Sequence, residues 1–198
     1  MKVAREGIPI IIGFAVAATA ISWVSVWFFR DPERRTPSEP GAVICPADGV
    51  VCGIGQAEAP ADLGLAGEGP FDRVCVFMNV FNVHSNRSPV DAEVVNAWYR
   101  PGAFVNADLD KASEENERNA LHLRTPEGRD VTCVQVAGLI ARRILCYVKP
   151  GDRLARGQRY GFIRFGSRVD VYVPAEAAPV AAVGDVVYAA ESILAEFR

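Results

Sequence analysis

The stretch Gly161-Phe-Ile-Arg-Phe-Gly-Ser-Arg-Val-Asp170 decides how this chain is read. Apolar and polar residues alternate around Gly166-Ser167, the period-two pattern of a strand with one face in a core. Only 31 residues follow Ser167. A glycine ahead of a serine leaves the intervening carbonyl uncrowded. A serine in that setting can be used against its own backbone. Its hydroxyl attacks the preceding carbonyl, the chain breaks, and the serine becomes a new reactive N-terminal group.

Outward from this stretch the chain reads as β structure. Short apolar runs recur at Ala42–Cys45, Val50–Ile54, Arg73–Met78, Ala92–Tyr99, Ala120–Leu123, Val131–Val136, Arg159–Phe165 and Val169–Val173. Turn chemistry separates them at Pro46-Ala-Asp-Gly49, Pro126-Glu-Gly128, Lys149-Pro-Gly-Asp152 and Val183-Gly-Asp185. Many short strands with glycine-bearing turns predict a mainly β fold, a compact sandwich or barrel. Asn106–Asn119 is polar and charged and reads as an ordered loop or short helix, while Ala189–Phe197 fits either a strand or a helix.

The N-terminus differs. Gly7–Phe29 is a run of 23 residues without a charge. As a helix it would extend about 34 Å, enough to cross the hydrocarbon layer of a bilayer. Lys2 and Arg5 flank one end and Arg30, Arg34 and Arg35 the other, so charge orients it poorly. Trp23, Trp27, Phe28 and Phe29 resemble an interfacial aromatic belt. Small residues at Ala15, Ala17 and Ala18 leave a cleaved signal peptide as the alternative, against which the run continues through bulky aromatics. The expected organisation is an anchor over residues 1–30, a polar linker over 31–41 and a β-rich domain over 42–198.

Composition narrows the class of function. Half of the residues are hydrophobic and net charge is −3, so no basic surface points to nucleic acid. His84 and His122 are the only histidines, which argues against a multi-histidine metal site. Five cysteines (Cys45, Cys52, Cys75, Cys133, Cys146) form no CxxC pair and read as reduced thiols in a reducing compartment. That places the β-rich domain on the cytoplasmic side of the membrane.

Three places carry unusual chemistry. Asp48-Gly49 stands in a turn. Asn82-Val-His84-Ser-Asn-Arg87-Ser-Pro89 packs an imidazole, amides, hydroxyls and a guanidinium into eight residues after an apolar strand. Gly166-Ser167 is the third. Asp, His and Ser together supply a carboxylate, a base and a nucleophile, and the absence of GxSxG excludes an α/β-hydrolase elbow.

The order Phe29-Arg-Asp-Pro32, Ala47-Asp-Gly49, Phe77–Pro89, Asn116-Glu-Arg-Asn119, Gly138-Leu-Ile-Ala-Arg-Arg-Ile144 and Phe165-Gly-Ser-Arg-Val-Asp170 resembles the phosphatidylserine decarboxylases, closest to the short, membrane-anchored bacterial and archaeal type. The resemblance runs from the anchor to residue 173. It implies a proenzyme that cleaves itself before the serine, giving a β chain of residues 1–166 and an α chain of 167–198. Ser167 would become a pyruvoyl group, the only cofactor, with no metal. The reaction implied is decarboxylation of phosphatidylserine in the membrane to phosphatidylethanolamine and CO2. A carbonyl at the new N-terminus supplies the electron sink that no ordinary side chain can.

By the same resemblance His84 is the general acid or base and Asp48 belongs to the self-processing machinery. Arg87, Arg142, Arg143 and Arg168 are candidates to hold the anionic head group, and Phe77, Phe81 and Phe165 to line an apolar pocket for its carboxylate. Arg87 stands where longer relatives place a second histidine, and Asn82 where many carry aspartate. Which of His84 and Asp48 drives self-cleavage therefore stays open, as does homo-oligomer formation. Two other classes compete. A membrane-anchored carrier or adaptor domain would need a lysine at a hairpin tip, which Lys149 and Lys111 match poorly. A serine hydrolase using Ser167 would keep one intact chain.

Overall fold

A computed structural model describes residues 7–58, 70–102, 116–138, 143–164 and 166–198. The chain divides into two compact units, Met1–Pro32 and Glu33–Arg198. In the first, helix α1 spans Gly7–Phe28. Its Ile10–Phe28 window has mean hydropathy 2.0, long and apolar enough to cross a membrane. The hydroxyls of Thr19, Ser22 and Ser25 each return to a carbonyl one turn back, at 2.8 Å from Ala15, Ala18 and Ile21, so they are satisfied without solvent. At its C-terminal end the Arg30 guanidinium lies 4.0 Å from the Trp27 ring centroid and donates to the Trp27 carbonyl.

The regular elements among the described residues of the second unit are all β strands, as the alternating runs predict. Its strands are β1 (Ala42–Ile44), β2 (Gly49–Ala57), β3 (Phe71–Met78), β4 (Ser85–Arg87), β5 (Ala92–Arg100), β6 (Arg118–Arg124) and β7 (Asp130–Ala137). They continue as β8 (Ile144–Cys146), β9 (Arg153–Leu154), β10 (Arg159–Ile163), β11 (Ser167–Val173), β12 (Ala177–Pro179), β13 (Val186–Val187) and β14 (Ile193–Phe197). The ambiguous C-terminal segment is thus a strand. Of the polar stretch Asn106–Asn119, residues 106–115 lie outside the described residues; its end enters β6.

Eight strands form one curled antiparallel sheet in the order β13-β2-β3-β11-β7-β6-β5-β9. Two three-stranded sheets, β1-β14-β12 and β4-β10-β8, pack on one of its faces. Val43 and Leu194 of the first and Tyr160 and Ile163 of the second share one apolar cluster with Val76, Leu121, Cys133 and Val169 of the large sheet. The opposite face is buried as well, around Phe71, Ala120, Val134, Val136 and Tyr172.

Strand β11 sits fourth in the eight, between β3 and β7, and every residue in it is buried. Alternation sends Ser167, Val169, Val171 and Val173 to the main core and Arg168, Asp170 and Tyr172 to the other face. The register places Ser167 opposite Met78 of β3 and Ala137 of β7. Strand β10, just before it in sequence, belongs instead to a small sheet. The chain therefore changes sheet between Ile163 and Ser167, and Gly166-Ser167 is the landing point. Gly166 has φ +61°, the left-handed region that costs an L-residue with a Cβ about 1–2 kcal/mol. Its glycine is demanded by backbone conformation as well as by an uncrowded carbonyl.

Candidate active site

The geometry begins at Asn79–Asn82, which leaves β3 in a tight turn. The Asn79 amide donates to Asn82 Oδ1 and the Phe81 amide to Asn79 Oδ1, both at 2.8 Å. This turn delivers His84, fully buried, against the crossover. The Ile163 amide donates to the His84 carbonyl at 3.2 Å, extending the β4–β10 pairing by one residue.

The ring is fixed at both nitrogens. The Gly166 amide donates to His84 Nε2 at 3.3 Å. His84 Nδ1 lies 3.0 Å from the Asn82 carbonyl oxygen. An amide N–H can only donate, so Nε2 presents its lone pair. A carbonyl can only accept, so Nδ1 carries the proton. The result is an imidazole whose Nε2 lone pair is turned to the Gly166 amide, one peptide ahead of the Gly166-Ser167 bond.

Ser167 follows directly. Its side chain is on the core face, fully buried, and its Oγ has no hydrogen-bond partner among the described residues. An unsatisfied buried hydroxyl costs about 1–3 kcal/mol. A hydroxyl held dry and unpaired is therefore an arrangement the rest of the fold must offset.

Asp48 is held elsewhere. Both of its oxygens accept from Arg34 Nη2, at 3.0 and 2.8 Å, and Oδ1 also accepts the Ala189 amide at 2.8 Å. Its neighbour Gly49 begins β2, and a Cβ there would collide with the Phe77 carbonyl. Gly49 is thus required for close approach of β2 to β3. Through that contact Asp48 stands at the same end of the large sheet as Ser167, two strands away, about 9–10 Å between backbones. Neither His84 nor Ser167 is among its partners.

The remaining sequence candidates scatter. Arg168 is buried on the face opposite Ser167, where Nε and Nη2 donate to the two oxygens of Asp170 at 2.7 and 3.0 Å. Phe77 pairs with Arg168 in register and shares that face. Arg87 alternates away from His84, and its Nη1 donates to the Gly157 carbonyl at 3.1 Å. Phe81 is 68% exposed at the Asn79–Asn82 turn. Arg143 is exposed, just before β8. Arg142 and Phe165 lie outside the described residues.

A polar chain escaped the sequence reading. Asn119 Nδ2 donates to Gln135 Oε1 at 2.9 Å, and Gln135 Nε2 donates to Asn86 Oδ1 at 2.7 Å. All three are buried within the main core. The available signal was Gln135 itself, a polar residue on the apolar side of Val131, Cys133 and Ala137. Two surface clefts among the described residues, around Glu93–Arg153 and around Pro40–Arg129, include none of the site residues.

A β unit with a serine buried behind a left-handed glycine, and a histidine ring hydrogen-bonded to that glycine's amide, gathers its unusual chemistry at Gly166-Ser167. The phosphatidylserine decarboxylase family model matches residues 21–195. The phosphatidylserine decarboxylase proenzyme of Nitrosomonas eutropha is 53% identical over 211 aligned positions, covering 99% of this chain and 95% of the relative. Those of Aromatoleum aromaticum, at 57% with 98% and 94% covered, and Burkholderia ambifaria, at 52% with 99% and 96%, are similarly close. This chain belongs to the phosphatidylserine decarboxylase family, whose members are carboxy-lyases.

Proposed function

We propose that this chain cleaves itself between Gly166 and Ser167 and then decarboxylates phosphatidylserine to phosphatidylethanolamine and CO2, using a pyruvoyl group made from Ser167. The observation that carries the proposal is the pairing of His84 Nε2 with the Gly166 amide beside an unpartnered, buried Ser167 Oγ. The proenzyme names of the relatives support the same reading.

In self-cleavage His84 Nε2 gives up the Gly166 amide and takes the hydroxyl proton as Ser167 Oγ adds to the Gly166 carbonyl. The same nitrogen returns that proton to the departing amine of residue 167, leaving an ester. Loss of the Ser167 α-proton with cleavage of the Cβ–Oγ bond then frees the Gly166 carboxylate. Hydrolysis of the unsaturated residue releases ammonia. The residues present fit the product, because Ser167 already lies within the core at the head of a fully buried strand. The pyruvoyl group supplies an electrophilic carbonyl that accepts the electrons left when CO2 departs. His84, held in place by the Asn82 carbonyl, would deliver a proton to the substrate α-carbon in that second reaction. Asp48 contributes to processing by fixing the β2 end of the sheet beside Ser167.

Helix α1 would hold the enzyme on the membrane that contains its substrate, with the catalytic unit on the cytoplasmic side, where its five free thiols persist. Tethering raises the local substrate concentration without a new contact. Of the four arginines singled out in the sequence, Arg143 is the described one that is exposed and would be available to the phosphodiester. The test is Ser167→Ala. It should remain one full-length chain and release no CO2 from phosphatidylserine; cleavage of that variant at the same bond would refute the assignment.

A further inference from the structure

We infer that Asn86 is a catalytic residue of self-cleavage, whose free side-chain N–H donates to the oxygen that gains negative charge when Ser167 attacks the Gly166 carbonyl. This rests on the reading of Gly166-Ser167 as the cleavage point. Asn86 is fully buried, yet its Nδ2 has no hydrogen-bond partner among the described residues. Its other end is fixed. Gln135 Nε2 donates to Asn86 Oδ1, and Gln135 is itself oriented by Asn119, so turning the Asn86 amide over would set two N–H donors against each other. A buried amide built into a chain of hydrogen bonds and left with a spare donor is costly unless something needs that donor.

Its position says what needs it. His84 and Asn86 are two residues apart along one extended segment, so both side chains leave on the same side. His84 reaches Gly166 and Asn86 reaches Gln135. Those two targets flank Ser167. Gly166 precedes it in the chain, and Gln135 faces Val169 on the neighbouring strand, one alternate position from the Ser167–Ala137 pair. Ser167 Oγ and Asn86 Nδ2 are thus two unpaired buried polar atoms facing the same layer between the sheets. When Oγ bonds to the Gly166 carbonyl carbon, the carbonyl π electrons move to its oxygen and the hydroxyl proton moves to His84 Nε2. A fixed N–H in a dry site stabilises that oxygen, and removing one such donor costs typically 10²–10³ in rate.

The test uses pulse-labelled full-length chain from cell-free synthesis, followed by gel for cleavage at Gly166-Ser167. Asn86→Asp keeps an acceptor for Gln135 Nε2 but replaces the free donor with an oxygen. We expect cleavage about 100-fold slower than in the unsubstituted chain, at a thermal midpoint showing a folded protein. Hydroxylamine, which cuts esters, should not restore cleavage, because the block precedes ester formation. Slowing of less than about tenfold, or prompt cutting by hydroxylamine, overturns the inference. Should Asn86→Asp fail to fold, Asn86→Val with Gln135→Leu replaces the polar pair with apolar groups and is judged by the same threshold. Failure of the unsubstituted chain to cleave sinks the cleavage reading itself, a separate result.

Discussion

His84 Nε2 accepts the Gly166 amide at 3.3 Å, which ties the imidazole to the residue whose carbonyl Ser167 must attack. One contact thereby joins the β3–β4 connection to the crossover between β10 and β11. Removing the ring removes both the base and the clamp. His84→Ala should slow self-cleavage by about 10²–10⁴. Gel analysis of the purified variant should show full-length chain where the native protein shows two pieces. Native-rate cleavage would remove His84 from processing.

Gly166 is held at φ +61° with open space where a Cβ would go, so a substitution there tests backbone conformation without steric collision. Gly166→Ala should cost about 1–2 kcal/mol. Gly166→Asn should cost less, because asparagine enters the left-handed region more readily. Thermal midpoints should fall in that order, about 2–4 °C per kcal/mol for a chain of this size. With Ser167→Ala keeping residue 166 inside one chain, equal midpoints for glycine and alanine at 166 would show that the strained turn is not formed.

Gly49 tests a different constraint. Its missing Cβ lets β2 lie against the Phe77 carbonyl. Gly49→Ala must push β2 away from β3, at a cost of about 1–3 kcal/mol by analogy with overpacked cores. Because Asp48 rides on the same turn, processing should slow together with the loss of stability. A variant as stable as the native protein would mean the two strands are less tightly apposed.

Arg168 was a sequence candidate for the lipid head group, yet it is among the largest fully buried side chains and is paired with Asp170. Arg168→Met leaves a buried carboxylate without this partner and should destabilise by about 3–5 kcal/mol. Arg168→Met with Asp170→Leu should recover part of that loss. Denaturant melts decide between this and a role in binding, which would weaken substrate affinity at unchanged stability.

Thiol chemistry gives an independent check of the core. Burial pushes the Cys45 thiol up to about 12, and burial raises Cys75 and Cys133 as well. A raised thiol pKa removes the reactive thiolate at neutral and mildly alkaline pH. Native protein should therefore expose only Cys52 and Cys146, the two partly buried thiols, to an aromatic disulfide reagent. All five should react after denaturation. Fast reaction of all five in native buffer would contradict the packing of β3 and β7.

Much of this was legible in the chain. The alternation through Val169–Val173 fixes one face of β11, and Ser167 falls on that face by the same period. The uncharged run before Arg30 is visible as a helix long enough for a bilayer. Other features were not legible because their cause is three-dimensional. Strand β4 is only Ser85–Arg87, too short and too polar to alternate visibly, so Asn86 reads as a loop residue. Arg34 sits in a polar linker, and its bond to Asp48 spans a turn of chain that local pattern does not foresee. Arg168 looks like a surface arginine until Asp170, two residues on, is seen on the same buried face. Gly49 reads as a turn glycine, whereas its requirement comes from the carbonyl of a neighbouring strand.

The central claim is that Gly166-Ser167 is cut and Ser167 converted. Denaturing mass spectrometry of the purified protein tests it most directly. Two chains ending at Gly166 and beginning at residue 167 are expected, the smaller lighter than the Ser167–Arg198 peptide by one ammonia and lacking a free N-terminal amine. One full-length chain, or a smaller piece that keeps an intact N-terminal serine, would contradict the account.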